Sequence, residues 1–471
     1  MAAGDEMDDI QALVRSGFGT LGAARYLLLR ISDAARVKSW LAAIEPTRAS
    51  QIRKEVQLEH VLQIAFTRAG LEALGFSEAD LAACAPEFLD GMAGDESRSH
   101  RLGDVGDNAP SAWSWGVGTQ EPHILLLLLA HNKNIADWAG NIEAQALAAG
   151  CTLIAAFASC PAREDGGPSR EPFGFADGLS QPEIDWRDRL DVTAAANGGY
   201  RDSIAAGEVL LGHRNEYDFI ADYPQGKMIG RNGSYLVYRQ LEQDVSGFWK
   251  WLAGETGSDR APWPAERMVG RGMDGKPLVN GASGDSNSFL FQDDPEGLVC
   301  PLGAHIRRAN PRSGDAQPGR HGLIGNLLST LGLVGDAASD AVASARFHRL
   351  LRRGRPYGET LTPQQAMRPD QPKVEAGLHF MCLNASLARQ FEFVQGAWVM
   401  SPTFGGLTQQ GDPLMGNRQQ FPKGCRTDLF RYHDEKQAPR IAQGLPNFVT
   451  VRGGAYFFLP GIAGLRSIAA A

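Results

Sequence analysis

No CxxC pair occurs in the chain, although its 471 residues include six cysteines, Cys84, Cys151, Cys160, Cys300, Cys382 and Cys425. Thiols scattered in this way argue against a zinc ribbon or a disulfide scaffold. CxxCH is absent as well, so a cofactor attached through thioethers is not expected. Long apolar runs are also missing. The longest, Ile124 to Ala130, falls far short of the ~20 residues a membrane-spanning helix needs. Positive charge is not in excess: 46 Lys and Arg stand against 54 Asp and Glu, a net charge of −8, which leaves no footprint for nucleic acid or an anionic membrane. Met1 to Asp9 is acidic and polar, without the basic and apolar regions of a secretory leader or a twin arginine, so the expected location is the cytoplasm.

What is present suits a globular protein with more than one core. Hydrophobic residues make up 43% and charged residues 21%, and the length exceeds what a single core usually serves. Tyr26 to Ile31 predicts a strand, with a helix after it towards Ile44 and Ser32 or Asp33 near its cap. Leu58 to Thr67, His123 to Ala130 and Cys151 to Phe157 predict further strands, and Asn134 to Ala149 a helix with Ile135, Trp138, Ile142 and Ala146 at helical spacing. The second half repeats this grammar. Tyr235 to Arg239 predicts a strand, Leu241 to Leu252 a helix, Leu378 to Leu383 a strand, and Ser386 to Val394 a helix. The strands Phe448 to Arg452 and Ala455 to Leu459 close the pattern.

Two rounds of strand–helix–strand, strand–helix–strand predict an α+β protein of two ferredoxin-like domains, with antiparallel sheets and peripheral helices. The expected division is 1–222 and 223–471. Asp185 to Asp222 reads as a connection, and a long insertion around 311–340 is expected to carry a short helix.

Two segments stand out chemically. Gly174-Phe175-Ala176-Asp177-Gly178 places a carboxylate within a glycine turn, although Asp-Gly is a common turn dipeptide in its own right. Cys300-Pro301-Leu302-Gly303-Ala304-His305 presents an imidazole after a Pro/Gly break, with Arg307, Arg308 and Arg312 close behind. A lone histidine among ten is usually structural, yet small residues on both segments leave room for a flat ligand. One acid, one histidine and a nearby arginine are what a haem peroxidase needs around its iron. Arginines are natural partners for haem propionates, and Arg307 is the choice for that contact.

Together the segments resemble the dye-decolourising peroxidase family, whose GxxDG signature reads as Gly174 to Gly178. The resemblance runs in order through Gly233 to Tyr238, Val269 to Arg271, Cys300 to Arg312, Arg352 to Gly358 and Phe448 to Gly461, nearly the whole chain. It implies non-covalent haem b, with His305 as the axial ligand to the iron. It selects Arg352, from the R-x-x-x-P-[YF]-G pattern, for the distal face, with Arg353 the rival one place off register. It points to Glu392 as the carboxylate polarising the axial histidine. The implied reaction is reduction of hydrogen peroxide coupled to oxidation of dyes or phenols. Asp177 would serve as acid and base, and Arg352 would stabilise charge as the O–O bond breaks. An aspartate ordinarily titrates near ~3.9, so such a base works in acid, where histidine does not.

Tyr357, and Trp398 by position, are the candidate electron-transfer residues for bulky donors. The rival readings are a haem carrier or iron-release protein on the same fold, and a haem-free α+β binding module. The physiological donor and the oligomeric state, a homo-oligomer included, stay open.

Overall fold

The uniformly apolar stretch Ile124–Ala130 lies between two neighbouring strands and is buried along its whole length in the computed structural model of the protein. The structure describes residues 3–53, 57–161, 169–188, 190, 202–279, 287, 289–291, 293–312, 345–418 and 427–471. The insertion expected around 311–340 falls outside them from residue 313 onward, as does the part of the expected connection at 189 and 191–201.

The first half supplies β1 (Ala23–Ile31), β2 (His60–Phe66), β3 (Ile124–Ala130) and β4 (Cys151–Ala158). They line up antiparallel in the order β4-β1-β3-β2. The second half supplies β5 (Ser234–Gln243), two short strands β6 (Leu351–Arg352) and β7 (Arg355–Gly358), then β8 (Ala376–Asn384) and β9 (Val449–Leu459). Their order is β9-β5-β8, with β6 and β7 both on the outer edge of β8. Counting β6 and β7 as one broken strand, each half shows the same fourth-first-third-second order, the ferredoxin-like arrangement. The halves meet edge to edge where Phe66 pairs with Phe458, giving one nine-stranded sheet.

Helices α1 (Ala34–Ala43), α2 (Ile135–Ala148) and α3 (Val245–Thr256) follow β1, β3 and β5. Asp33 caps α1 by accepting the Arg36 amide at 3.1 Å, as its residue type predicts. Strand alternation sorts the core into two faces. Leu27 and Leu29 join the helix residues Val37, Leu41, Phe248 and Trp249. Tyr26 and Leu28 point the other way and meet Tyr238 and Met381 of the second half. Tyr26 stacks on Tyr238 with ring centroids 5.4 Å apart, although β1 and β5 are not neighbours in the sheet. The sheet therefore curls so that its helix-free faces pack on one another.

Two boundaries differ from the sequence reading. The helix expected from Leu241 starts at Val245, because Leu241 and Gln243 continue the strand, paired with Val451 and Val449 of β9. Asp244 then caps α3, accepting the Gly247 amide at 2.9 Å. The two closing strands are one, β9, with a register shift between Val451 and Gly453. Gly453 has to lack a side chain, since the Trp115 indole occupies the space a Cβ would need.

Beyond the Phe66–Phe458 pair, the side of β2 that faces β9 is covered by a side chain. The Gln11 amide donates to Ile64 O and Pro460 O and accepts from Ile64 N, each at 2.9 Å. Gln11 is buried.

Between the packed faces, His379 is 1% exposed. Its Nε2 lies 3.3 Å from the Ala158 carbonyl, so Nε2 carries the proton and Nδ1 accepts from the Tyr238 hydroxyl at 2.9 Å. Burial pushes its pKa down from 6.5 to about 4. A histidine with a depressed folded pKa stabilises the fold fully above its unfolded value and loses that contribution as pH falls. The window here runs from about 6.5 to about 4, and the loss is on the order of 3 kcal/mol. Urea melts across this range are expected to show that the double variant His379→Phe/Tyr238→Phe, which removes both partners, loses correspondingly less stability in acid.

Candidate active site

Gly174 and Gly178 have φ of 101° and 78°, a region open to glycine and strained for other residues. The tight turn they allow carries Asp177, whose amide donates to Ser169 O at 2.9 Å. Arg170 holds the turn from outside, donating to Gly174 O at 2.6 Å and Met273 O at 2.7 Å. From inside, the Glu171 carboxylate accepts the Phe173 amide at 3.0 Å, the Phe175 amide at 2.9 Å and the Gln243 side-chain amide at 2.7 Å. Burial raises the Glu171 carboxyl to about 7 against these bonds, which oppose the shift.

Arg352 faces Asp177, with Nη1 3.4 Å from Oδ1. Its backbone is fixed by pairing with Cys382 of β8 and by donation to the Gln181 side-chain oxygen at 2.9 Å. Both side chains are open to the cavity, at 38% and 40% exposure. The register of β6 thus places the charge of one half against the acid of the other.

His305 opens the short helix α4 (His305–Ala309) and turns its ring to the same cavity. Nδ1 lies 2.9 Å from Oδ2 of Asp412, which is fully buried. The other Asp412 oxygen accepts the Leu414 and Met415 amides, both at 2.9 Å. Burial alone would raise the Asp412 carboxyl. The facing His305, the hydrogen bond to it, and Arg308 outweigh burial and hold it low. For His305, burial works against the charged ring, and Asp412 outweighs it, so the pKa is raised. With Nδ1 committed to Asp412, Nε2 is the nitrogen left for a metal. The Arg308 guanidinium bonds four carbonyls, Gly303, Trp398, Ser401 and Gln410, fastening α4 to the segment that delivers Asp412.

Asp177, Arg352 and His305 therefore line one cavity, of about 250 Å³. Its walls are largely apolar, with Phe175, Leu378, Phe380 and Trp398 among them, and Arg271, Arg312 and Arg349 line it as well. Arg271 is brought down to about 10, by burial first and then by the neighbouring Arg312 and Arg352 cations. A pocket that crowds cations against one another in an apolar setting fits a flat apolar ring carrying two carboxylates. An imidazole with one free nitrogen fits its metal. These residues suit haem.

Two expectations are corrected. Glu392 does not touch His305: it is buried with Arg98 Nε at 2.9 Å, the Tyr456 hydroxyl at 2.9 Å and Arg101 at 3.8 Å. Asp412 takes the place proposed for it. Arg307 does not reach the cavity either. It donates to Cys300 O at 2.8 Å and Asp294 O at 2.9 Å, pairs with the Asp294 carboxylate, and lies over Phe291. Residues two apart on a helix point away from one another, so an arginine two places after His305 turns its back on the ligand site.

The rival Arg353 is also structural, bonded to Leu13 O at 2.7 Å and Val14 O at 2.9 Å. Trp398 lines the cavity but is 4% exposed. Tyr357 is 5% exposed and packs against His379, with centroids 4.6 Å apart, on the opposite face of β8 from Leu378 and Phe380. Asp412 had one sequence signal, the dipeptide Asp412-Pro413, which reads only as a turn.

No family model matches the chain. Among curated proteins, it is 29% identical over 477 residues to the multifunctional dye peroxidase DyP2 of an Amycolatopsis species, covering 96% of this chain and 91% of that protein. It is 29% identical over 495 residues to the dye-decolorizing peroxidase of Exidia glandulosa, covering 98% and 87%. Among solved structures, the fungal DyP-type peroxidase of Auricularia auricula-judae superposes with a TM-score of 0.74 at 24% identity over 99% of both chains. The Anabaena DyP-type enzyme does so with a TM-score of 0.74 at 22% identity, over 98% of this chain and 95% of that one.

Proposed function

We propose that this chain, which belongs to the dye-decolourising peroxidase family, reduces hydrogen peroxide at a non-covalent haem b and oxidises aromatic donors such as dyes and phenols. The observation that carries the reading is the pairing of two arrangements in one cavity: an acid beside an arginine, Asp177 and Arg352, and a histidine beside a buried carboxylate, His305 and Asp412. A haem carrier has a use for the second and none for the first.

His305 Nε2 would ligate the iron, Arg271, Arg312 and Arg349 would meet the propionates, and Leu378 and Phe380 would lie along the ring. Bound haem supplies the electron-transfer chemistry of peroxide reduction. The chain's own residues do the rest. Asp177 would take a proton from one peroxide oxygen and return it to the other, directly or through water. Arg352 stabilises the negative charge that grows on that oxygen. Asp412 keeps the His305 proton at Nδ1 and strengthens Nε2 as a donor. The apolar walls keep bulk water away from the reacting oxygens. Tyr357 and Trp398 lie too deep to touch a bulky donor, so the role proposed for them is that of interior relays.

The test is the absorption spectrum of haem-loaded protein before and after one equivalent of hydrogen peroxide at mildly acidic pH. A histidine-ligated Soret band that changes rapidly is the expected result. Haem bound but inert to peroxide would move the reading to a carrier, and no Soret band would end both.

A further inference from the structure

Glu171 lines the cavity, half-buried, yet the chemistry above gives it nothing to do. Its surroundings are specific. Both carboxylate oxygens face donors only, the amides of Phe173 and Phe175 and the side-chain amide of Gln243. Gln243 in turn is placed for its N–H: its own Oε1 is buried without a hydrogen-bond partner. An unsatisfied buried acceptor is destabilising, and the Glu171 contact has to offset it. Trp249 adds a parallel tie, donating its indole N–H to Phe173 O at 3.1 Å.

These ties join particular pieces. Gln243 ends β5, and Trp249 lies on α3 directly after it. β5 pairs with β8, and β8 pairs with the β6 residue Arg352. The turn that carries Asp177 is thus fastened, through Glu171, to the sheet that carries the arginine facing Asp177. We propose that Glu171 is the positioning residue for Asp177: with Gln243 it anchors the acid-bearing turn in register with Arg352. The inference rests on the reading of Asp177 as the proton-transfer group, and it adds a residue outside the recognised acid and arginine.

The experiment compares wild type, Glu171→Gln, Asp177→Asn and the double variant as haem-loaded full-length proteins, by stopped-flow mixing with peroxide. An amide at 171 puts an N–H against one of the three donors and breaks the clamp. Because a displacement of ~1 Å can cost ~10²-fold, Glu171→Gln is expected to slow the reaction by about 10- to 100-fold at unchanged haem content. The ferric/ferrous potential, set on the histidine side, should stay put. The double variant should be no slower than Asp177→Asn alone, since a positioning residue has nothing left to position.

A second readout needs no haem. Hydrogen exchange at the Phe173 and Phe175 amides of the unloaded protein should accelerate in Glu171→Gln. If that variant fails to fold, Gln243→Met keeps the backbone bonds, cuts the tie to β5, and should slow peroxide reaction in the same direction. A wild-type rate in the substituted protein, effects that multiply with Asp177→Asn, or a potential that moves with the rate would each overturn the proposal. Equal peroxide rates in wild type and Asp177→Asn would overturn the proton-transfer reading instead, and the exchange data would still report on the clamp.

Discussion

Replacing Asp177 by Asn is expected to leave haem bound and to slow the reaction with peroxide by ~10²–10⁴-fold, the range general acid–base groups contribute. The substitution is nearly isosteric and keeps a hydrogen-bond acceptor 3.4 Å from the Arg352 guanidinium. What disappears is the ability to take a proton from one oxygen and return it to the other. Arg352→Leu removes the cation that stabilises the separating charge and is expected to cost ~10²–10³-fold, as loss of one preorganised donor does. The two groups act on one event, so their combined loss should fall well short of the product. Stopped-flow rates against peroxide concentration measure all three variants. An Asp177→Asn rate within twofold of wild type would remove Asp177 from the proton-transfer role.

On the histidine side, Asp412→Asn should have the largest effect. An ionised Asp412 pulls the Nδ1 proton and makes Nε2 a stronger donor, which favours the oxidised metal. Asparagine keeps a contact and loses the charge. Haem affinity or peroxide activity should fall by ~10–100-fold, as for other partners of metal-bound histidines, and the ferric/ferrous potential should rise. Glu392→Gln is the control. Glu392 is paired with Arg98 and Tyr456 and has no contact with His305, so it should leave the potential unchanged and lower unfolding stability by ~1–3 kcal/mol instead. Spectroelectrochemical titration of both variants separates the cases. A potential that shifts in Glu392→Gln and not in Asp412→Asn would reverse the assignment.

The residues that the sequence made legible share a property. Asp177, His305 and Arg352 each sit in a short local pattern of glycines or prolines, which fixes the backbone around them within a few positions. Asp412 also stands between a glycine and a proline, Gly411 and Pro413, but no motif of the resemblance includes it. It meets His305 across 107 residues, and its own sequence context announces only a turn. The resemblance pointed to Glu392 as a buried partner. It is one, for Arg98. The arginines failed in a similar way. Arg307 stands near His305 along the chain but on the wrong side of a helix. Arg271 is brought to the cavity from another segment.

The fold was easier to read, because strand order in a ferredoxin-like half follows from element order and apolar alternation. The misplaced start of α3 shows the limit. Leu241 fits a helical face and a strand face equally well, and only the pairing with Val451 decides.

The Gln11 amide gives and accepts at Ile64 as a neighbouring strand would. Where two strands part inside a sheet, the unpaired backbone invites a second chain to add itself there. On β2 that invitation is already answered, by a side chain from the start of the same molecule. β2 therefore offers no template for a second chain, and strand addition could only reach the ends of the sheet, β4 on one side and the β6–β7 pair on the other.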